Sequence, residues 1–356
     1  MTNQVTKYMQ QALALAERGR FTVSPNPMVG SVIVKNNEII GTGFHERAGT
    51  PHAEVHALRE AGSSAEGGTL YVTLEPCCHF GRTPPCTDAI IAAKVKKVVV
   101  ACHDPNPLVA SKGIEKLKQA GIEVEFGLLE QEAKKLNEIF FHFITTKRPF
   151  VIAKWAMSLD GKTITHGNDS KQISGAAAFE HTHQLRQTVD AILVGANTAI
   201  HDDPALNVRL PDAKKQPTRI IVTSDGKLPL DLQVLNPSES KTIVATTDLI
   251  SKETIENLSN KGVQVLMIKR NQHNQVHLPN LLDELGKLNM TSMLVEGGMT
   301  ILEDFFREKL INKTHIYIAP VIIGKEPKKQ FIPNMKVETL GQDILMTAQQ
   351  EDLIYV

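Results

Sequence analysis

The residues best suited to chemistry are His52, Glu54, Cys77 and Cys86, which stand in the runs His52-Ala53-Glu54, Pro76-Cys77 and Pro85-Cys86. One imidazole and two thiolates are three soft ligands for Zn2+, and they leave a fourth position open to water. Three protein ligands with an open position mark a catalytic rather than a structural zinc, because water bound there is acidified toward a pKa of ~7. Glu54 is the carboxylate placed to take a proton from that water and return it to a leaving amine. An H-x-E paired with a P-C step is the arrangement of zinc-dependent amino-group hydrolases.

A lone H-x-E is common by chance, and isolated cysteines are more often small core residues. Here three ligands, the carboxylate and two element ends coincide. Cys78 and His79 compete for the metal, but adjacent Cys77 and Cys78 are awkward as joint ligands, so the expected set is His52, Cys77 and Cys86. Cys102, at the end of a strand, reads as core. Eight residues separate Cys77 from Cys86, in place of the P-C-x-x-C spacing of general nucleobase and tRNA deaminases.

The elements that must hold these residues follow from periodicity and breakers. An amphipathic helix over 1–19 carries Val5, Met9, Ala12 and Ala16 on one stripe. Strands over 29–34 and 38–41 form a hairpin across Asn36-Asn37. Helices are expected over 52–61, 87–93, 112–120 and 130–143, and strands over 69–74, 97–101 and 122–126. His52 and Cys86 thus open two helices, whose partial positive charge favours thiolate. This alternation predicts an α/β layered domain with a mixed sheet. The run 145–149 is the best boundary, being polar, short and ended by Pro149. A second α/β pattern begins with a strand over 150–155, with further strands over 191–194, 219–222, 242–245, 263–268, 292–295 and 315–319. Segments 211–217 and 325–329 read as solvated loops. Gly297-Gly298 follows a strand and precedes a helix over 300–309, a plausible pyrophosphate position. The absence of G-x-G-x-x-G after the first strand argues against a Rossmann domain.

A chain of 356 residues suits two domains. Lys+Arg and Asp+Glu are both 39, so no basic surface predicts binding to nucleic acid or an anionic membrane. No apolar run reaches the ~20 residues of a membrane span, and no signal-peptide pattern opens the chain. All four cysteines fall in the first third, unlike a secreted disulfide framework. The cytoplasm is the expected compartment.

Several runs together resemble the bifunctional deaminase–reductases of riboflavin biosynthesis. They are P-N-P-M-V-G (25–30), H-A-E-V-H-A-L (52–58), T-L-E-P-C-C-H-F-G-R-T-P-P-C (73–86), D-P-N-P (104–107), S-L-D-G-K (158–162), D-D-P-A-L-N-V-R (202–209) and V-E-G-G (295–298). The resemblance implies a cytidine-deaminase-like α/β/α domain over 1–146 and a dihydrofolate-reductase-like α/β domain over 147–356. The first would remove the 2-amino group of a diamino-pyrimidinone ribosylamino 5′-phosphate, with Asn26, His45, Arg82 and Asn106 lining the pocket. Asn suits a pyrimidine edge, while Arg82 and His45 suit a phosphate. The second would use NADPH to reduce the ribosyl chain. The implied substrate residues are Lys154, Ser170, Arg186, Asp202, Leu206, Arg209 and Glu296, and the implied cofactor residues are Ala156, Thr198, Asp202, Ser224 and Gly298. Arg186 and Arg209 suit a ribose-phosphate anion, and Lys154 and Glu296 suit a sugar oxygen as hydride arrives. Asp160-Gly161 reads as a turn. One departure concerns 170–174, where many members carry a Trp: Gln172 offers no ring to stack on a cofactor.

The expected ligands are Zn2+, NADPH and a small pyrimidine ribosyl-phosphate, in a homo-oligomer. Two other classes share the metal residues. A tRNA deaminase conflicts with zero net charge and the long cysteine spacing, and a zinc-stabilised ligand-sensing protein predicts a fourth His or Cys at the metal.

Overall fold

The structure, a computed structural model, describes residues 2–81, 83–106, 111–163, 173–324, 330–331, 336–340 and 343–347. The chain divides into two compact units, one of residues 1–150 with 280–292, the other of 151–279 with 293–356.

In the first unit the order is α1 (Thr2–Glu17), β1 (Gly30–Lys35), β2 (Glu38–Phe44), α2 (Ala53–Ala61), β3 (Thr69–Val72), α3 (Cys86–Ala92), β4 (Lys97–Val100), α4 (Lys112–Gln119), β5 (Glu123–Phe126), α5 (Glu130–Leu136) and α6 (Glu138–Thr146). The sheet runs β2-β1-β3-β4-β5, with β1 antiparallel to β2 and β3 and the remaining pairs parallel. The hairpin forms where Asn36-Asn37 predicts it. Both asparagines are left-handed (φ 53° and 65°), matching the right-handed twist of the flanking strands. The α1 stripe is confirmed, with Met9, Ala12 and Ala16 fully buried. β3 and β4 are almost wholly apolar and buried, as strands covered on both faces must be. α2 packs closely on the hairpin because Gly43 has no side chain: a Cβ there would lie 2.2 Å from Ala53 O.

One helical expectation needs correction. The single helix over 130–143 is two helices, interrupted at Asn137 (φ −106°, ψ 22°), because the buried Asn137 amide is engaged by the backbone of Met28. Thr145 and Thr146, read as linker, close α6.

The second unit contains β6 (Phe150–Ser158), α7 (Ala176–Thr188), β7 (Ala191–Gly195), α8 (Ala196–Asp202), β8 (Thr218–Val222), β9 (Thr242–Thr246), α9 (Lys252–Asn260), β10 (Gln264–Met267), β11 (Ser292–Val295), α11 (Met299–Arg307) and β12 (Lys313–Ala319); α10 (Leu278–Lys287), which follows β10 in the chain, belongs from residue 280 onward to the first unit. Its seven-stranded sheet runs β10-β9-β8-β7-β11-β6-β12. Every pair in it whose register is described is parallel. The central strands β7 and β11 are buried runs of Ala, Ile, Leu, Val and Met. Asp160 does form a turn: it accepts from Ser158 Oγ (2.6 Å) and from the N–H groups of Ile323 and Gly324 (3.0 and 2.9 Å). Segment 325–329 lies outside the described residues.

Candidate active sites

His52, Cys77 and Cys86 converge, and their ligand atoms all lie within 4.8 Å of one another. The positions follow from element ends. His52 caps the N-terminus of α2, Cys77 follows β3, and Cys86 is the first residue of α3. The start of α3 is pinned to the Cys77 step by two N–H groups: Cys86 N donates to Cys77 Sγ (3.3 Å) and Thr87 N to Cys77 O (3.2 Å). His52 Nδ1 stands 3.2 Å from Cys86 Sγ and 3.5 Å from Cys77 Sγ. A tetrahedron of bonds about 2.1–2.3 Å long has ligand–ligand edges of roughly 3.4–3.8 Å, so this donor set fits zinc. His52 Nε2 lies 3.3 Å from Thr83 Oγ1, which can accept its proton and so leave Nδ1 for a metal. Among the described residues this convergence holds three side chains, not four. Cys102 is core, fully buried and donating to Thr73 O.

The electrostatics suit metal and water. The hydrogen bond with Cys86, followed by those with His52 and the Cys86 N–H, holds the Cys77 thiol well below its ordinary range. Cys86 is raised, by its bond to Cys77 and by burial. Glu54, in the first turn of α2, is buried, and that burial lifts its carboxyl to about 7. Its Oε2 has no hydrogen-bond partner among the described residues. Glu54 faces a cavity of about 390 Å³ whose lining includes Asn26, His45, His52, Cys77, Asp104 and Asn106.

Inside that cavity Asn26 Nδ2 lies 3.0 Å from His45 Nε2, and His45 Nδ1 lies 3.2 Å from Pro51 O. The carbonyl accepts, so Nδ1 carries the proton and Nε2 accepts from Asn26. Burial lowers the His45 pKa, so a neutral imidazole orients Asn26. His45, implied by the resemblance as a pocket residue, does line this cavity. Arg82 lies outside the described residues.

In the second unit Glu296, just past β11, has a side chain only 7% exposed and forms a two-pronged pair with Arg186 of α7: Nε to Oε1 at 2.7 Å and Nη2 to Oε2 at 3.0 Å. Lys154 of β6 stands 3.6 Å from Oε2 of the same carboxylate. His183, unremarked in the sequence, accepts the Arg209 backbone N–H at 3.0 Å. Burial, then Arg186 and Arg209, push its pKa down to about 4. Arg209 itself is exposed, with its guanidinium 5.3 Å from the centre of the Phe179 ring. Thr198, Ser224 and Gly298 line one cavity of about 410 Å³, and Gly298 N donates to Thr198 Oγ1 at 2.8 Å. Ala156 and Asp202 are not part of its lining: Ala156 is on β6, and Asp202 is exposed at the end of α8. Leu206 is buried, with a left-handed backbone. Ser170 and Gln172 lie outside the described residues.

Residues 2–102 match the cytidine and deoxycytidylate deaminase zinc-binding region, and residues 149–352 match the RibD C-terminal domain. Riboflavin biosynthesis protein RibD of Aquifex aeolicus (strain VF5) is 47% identical over 350 residues, covering 95% of this chain and 96% of that protein.

The chain belongs to the RibD family.

The RibD protein of Escherichia coli (strain K12) is 42% identical over 334 residues, 90% of this chain and 89% of its own. Among solved structures, Acinetobacter baumannii RibD superposes with a TM-score of 0.81 at 41% identity, covering 97% of this chain and 98% of that one. The Thermotoga maritima diaminohydroxyphosphoribosylaminopyrimidine deaminase/5-amino-6-(5-phosphoribosylamino)uracil reductase gives 0.79 at 34% identity, covering 97% of each. This RibD-family chain is a bifunctional deaminase and reductase of the riboflavin pathway, with a cytidine-deaminase-like domain followed by a dihydrofolate-reductase-like one. Among the described residues no helix is long and apolar enough to cross a membrane.

Sequence reasoning missed Thr83, Asp104 and His183 as residues of these two sites. Two quoted runs carried a signal: 73–86 contains Thr83, and D-P-N-P (104–107), already tied to Asn106, contains Asp104.

Proposed function

We propose that residues 1–146 hydrolyse the 2-amino group from 2,5-diamino-6-ribosylamino-4(3H)-pyrimidinone 5′-phosphate. Residues 147–356 then reduce the ribosyl chain with NADPH to give 5-amino-6-ribitylamino-uracil 5′-phosphate. The observation that carries the first step is a buried carboxylate oxygen of Glu54, without a hydrogen-bond partner among the described residues, beside the three-ligand cluster. His52, Cys77 and Cys86 would hold zinc, whose Lewis acidity makes water nucleophilic near neutral pH. Glu54, lifted to about 7, holds the proton taken from that water and delivers it to the departing amine. Asn26, fixed by His45 through Nδ2, presents Oδ1 to an N–H of the pyrimidine edge, and Asn106 lines the same cavity.

The reductase reading is supported by the largely enclosed Arg186–Glu296–Lys154 cluster and by the cavity at Thr198, Ser224 and Gly298. NADPH supplies the hydride when bound. Glu296 holds the Lys154 ammonium where it can protonate or polarise the sugar oxygen, and Arg186 and Arg209 provide charge for a phosphate. A small-molecule enzyme with a zinc thiolate site suits the cytoplasm, and the family resemblance supports a homo-oligomer.

The test is to incubate the full chain with the pyrimidine phosphate, with and without NADPH, following ammonia and NADPH separately. Ammonia release without NADPH, and NADPH oxidation that depends on deamination, are expected. Glu54→Gln should lose deamination by about a thousandfold while still reducing supplied deaminated intermediate. Normal ammonia release from that variant would sink the role given to Glu54.

A further inference from the structure

We propose that Glu75, which the deaminase chemistry leaves unassigned, is the positioning residue that holds the Cys77 ligand segment and the Asp104–Asn106 loop in one register. The inference rests on the zinc deaminase reading above. The Glu75 side chain is fully buried (0% exposed), yet both its oxygens are doubly engaged. Oε1 accepts from the N–H groups of Gly113 (3.0 Å) and Ile114 (3.3 Å). Oε2 accepts from Ser111 N (3.1 Å) and lies 3.1 Å from His103 Nδ1. The Glu75 backbone N–H in turn donates to Cys102 O at 3.0 Å.

These contacts join three segments. Glu75 leaves β3 two residues before Cys77. Cys102 and His103 leave β4 just before Asp104 and Asn106. Residues 111–114 begin α4. Gly113 makes the junction tight, because a Cβ there would stand 2.1 Å from Pro76 O, on the step that delivers Cys77. Glu75, Cys77, Asp104 and Asn106 all line the same cavity. A shift at the carboxylate therefore moves a metal ligand and the pyrimidine loop together. Gln is a poor substitute: one amide orientation points an NH2 group at the N–H groups of Gly113 and Ile114, the other at that of Ser111.

The test compares full-length wild type with Glu75→Gln, measuring zinc release to a chromogenic chelator, kcat and KM for ammonia release, and NADPH oxidation on deaminated intermediate. The variant should release zinc about 10-fold more readily, the low end of what loss of a group hydrogen-bonded to a ligand does, because Glu75 acts through the segment that carries Cys77. Its deamination KM should rise at least about tenfold while reduction is retained. A purely structural role lowers only the active fraction, and so kcat, in the folded protein. Unchanged zinc release and unchanged KM would overturn the proposal. If Glu75→Gln does not fold, His103→Ala decides by removing one half-exposed partner of the same carboxylate: faster zinc release with a raised KM supports the inference, and neither change overturns it. A wild type that releases no ammonia with zinc bound would instead remove the underlying deaminase reading.

Discussion

Asn137 completes the backbone hydrogen bonding of Met28 from 109 residues away, donating from Nδ2 to Met28 O and accepting from Met28 N at Oδ1, each at 2.8 Å. A neighbouring strand would satisfy Met28 in the same way. The segment so held runs from Asn26, in the deaminase cavity, to Gly30, where β1 begins. Asn137→Ala leaves both backbone groups without this partner, at a cost of about 1–3 kcal/mol per group. Thermal unfolding should move down by several degrees, and the deamination KM should rise because Asn26 loses its anchor. A variant with unaltered melting and KM would show that water replaces the amide at no cost.

That same contact explains what the sequence could and could not disclose. The apolar period over 130–143 is continuous, so local patterning predicts one helix, and the interruption comes from a demand at Met28. The hairpin was legible because its turn is set by the two residues in it, Asn36 and Asn37. Likewise, His52, Glu54, Cys77 and Cys86 declare metal chemistry by residue type and by opening or closing elements. Glu75 does not, since a buried carboxylate reads in sequence as any other Glu until its four donors are known. His183 is silent for the same reason: its surroundings come from Arg186 on its own helix and from Arg209 beyond β7 and α8.

Gly43 tests whether helix placement controls the metal site. A Cβ at this position would lie 2.2 Å from Ala53 O and 2.7 Å from Ala57 N, so α2 must move away from β2 to admit it. His52 caps that end of α2 and moves with it. Gly43→Ala should therefore cost about 1–3 kcal/mol by overpacking and also speed zinc release. Chelator competition beside a melting curve checks both, and slow, wild-type zinc release in a destabilised variant would separate the helix from the site.

His183 gives a pH dependence with a definite sign. Its folded pKa of about 4 lies below the ~6.5 of an unfolded chain, because burial and two arginines disfavour the imidazolium. Between these values the unfolded state binds the extra proton, so stability rises with pH across the window. The contribution is fully present above about 6.5 and is lost as pH falls toward 4. Denaturant midpoints of the full chain from pH 7 to 4.5 should fall, and His183→Gln should flatten that part of the curve. An identical slope in the variant would place the titrating group elsewhere.

The Arg186–Glu296 pair separates stability from catalysis. Truncating Arg186 to Ala leaves the enclosed Glu296 carboxylate with Lys154 at 3.6 Å, and breaking a buried pair from one side costs about 3–5 kcal/mol. Replacing both partners with apolar residues, as in Arg186→Met with Glu296→Leu, removes the stranded charge and should recover most of that loss, since desolvation offsets much of the attraction in the native pair. Reduction should not recover with it. Lys154 then has no carboxylate to hold its ammonium at the sugar oxygen, and the arginine is gone. The expected result is a double variant that melts near wild type, deaminates normally and oxidises NADPH at least about a hundredfold more slowly. Substantial NADPH oxidation by that double variant would mean that the pair serves the fold alone.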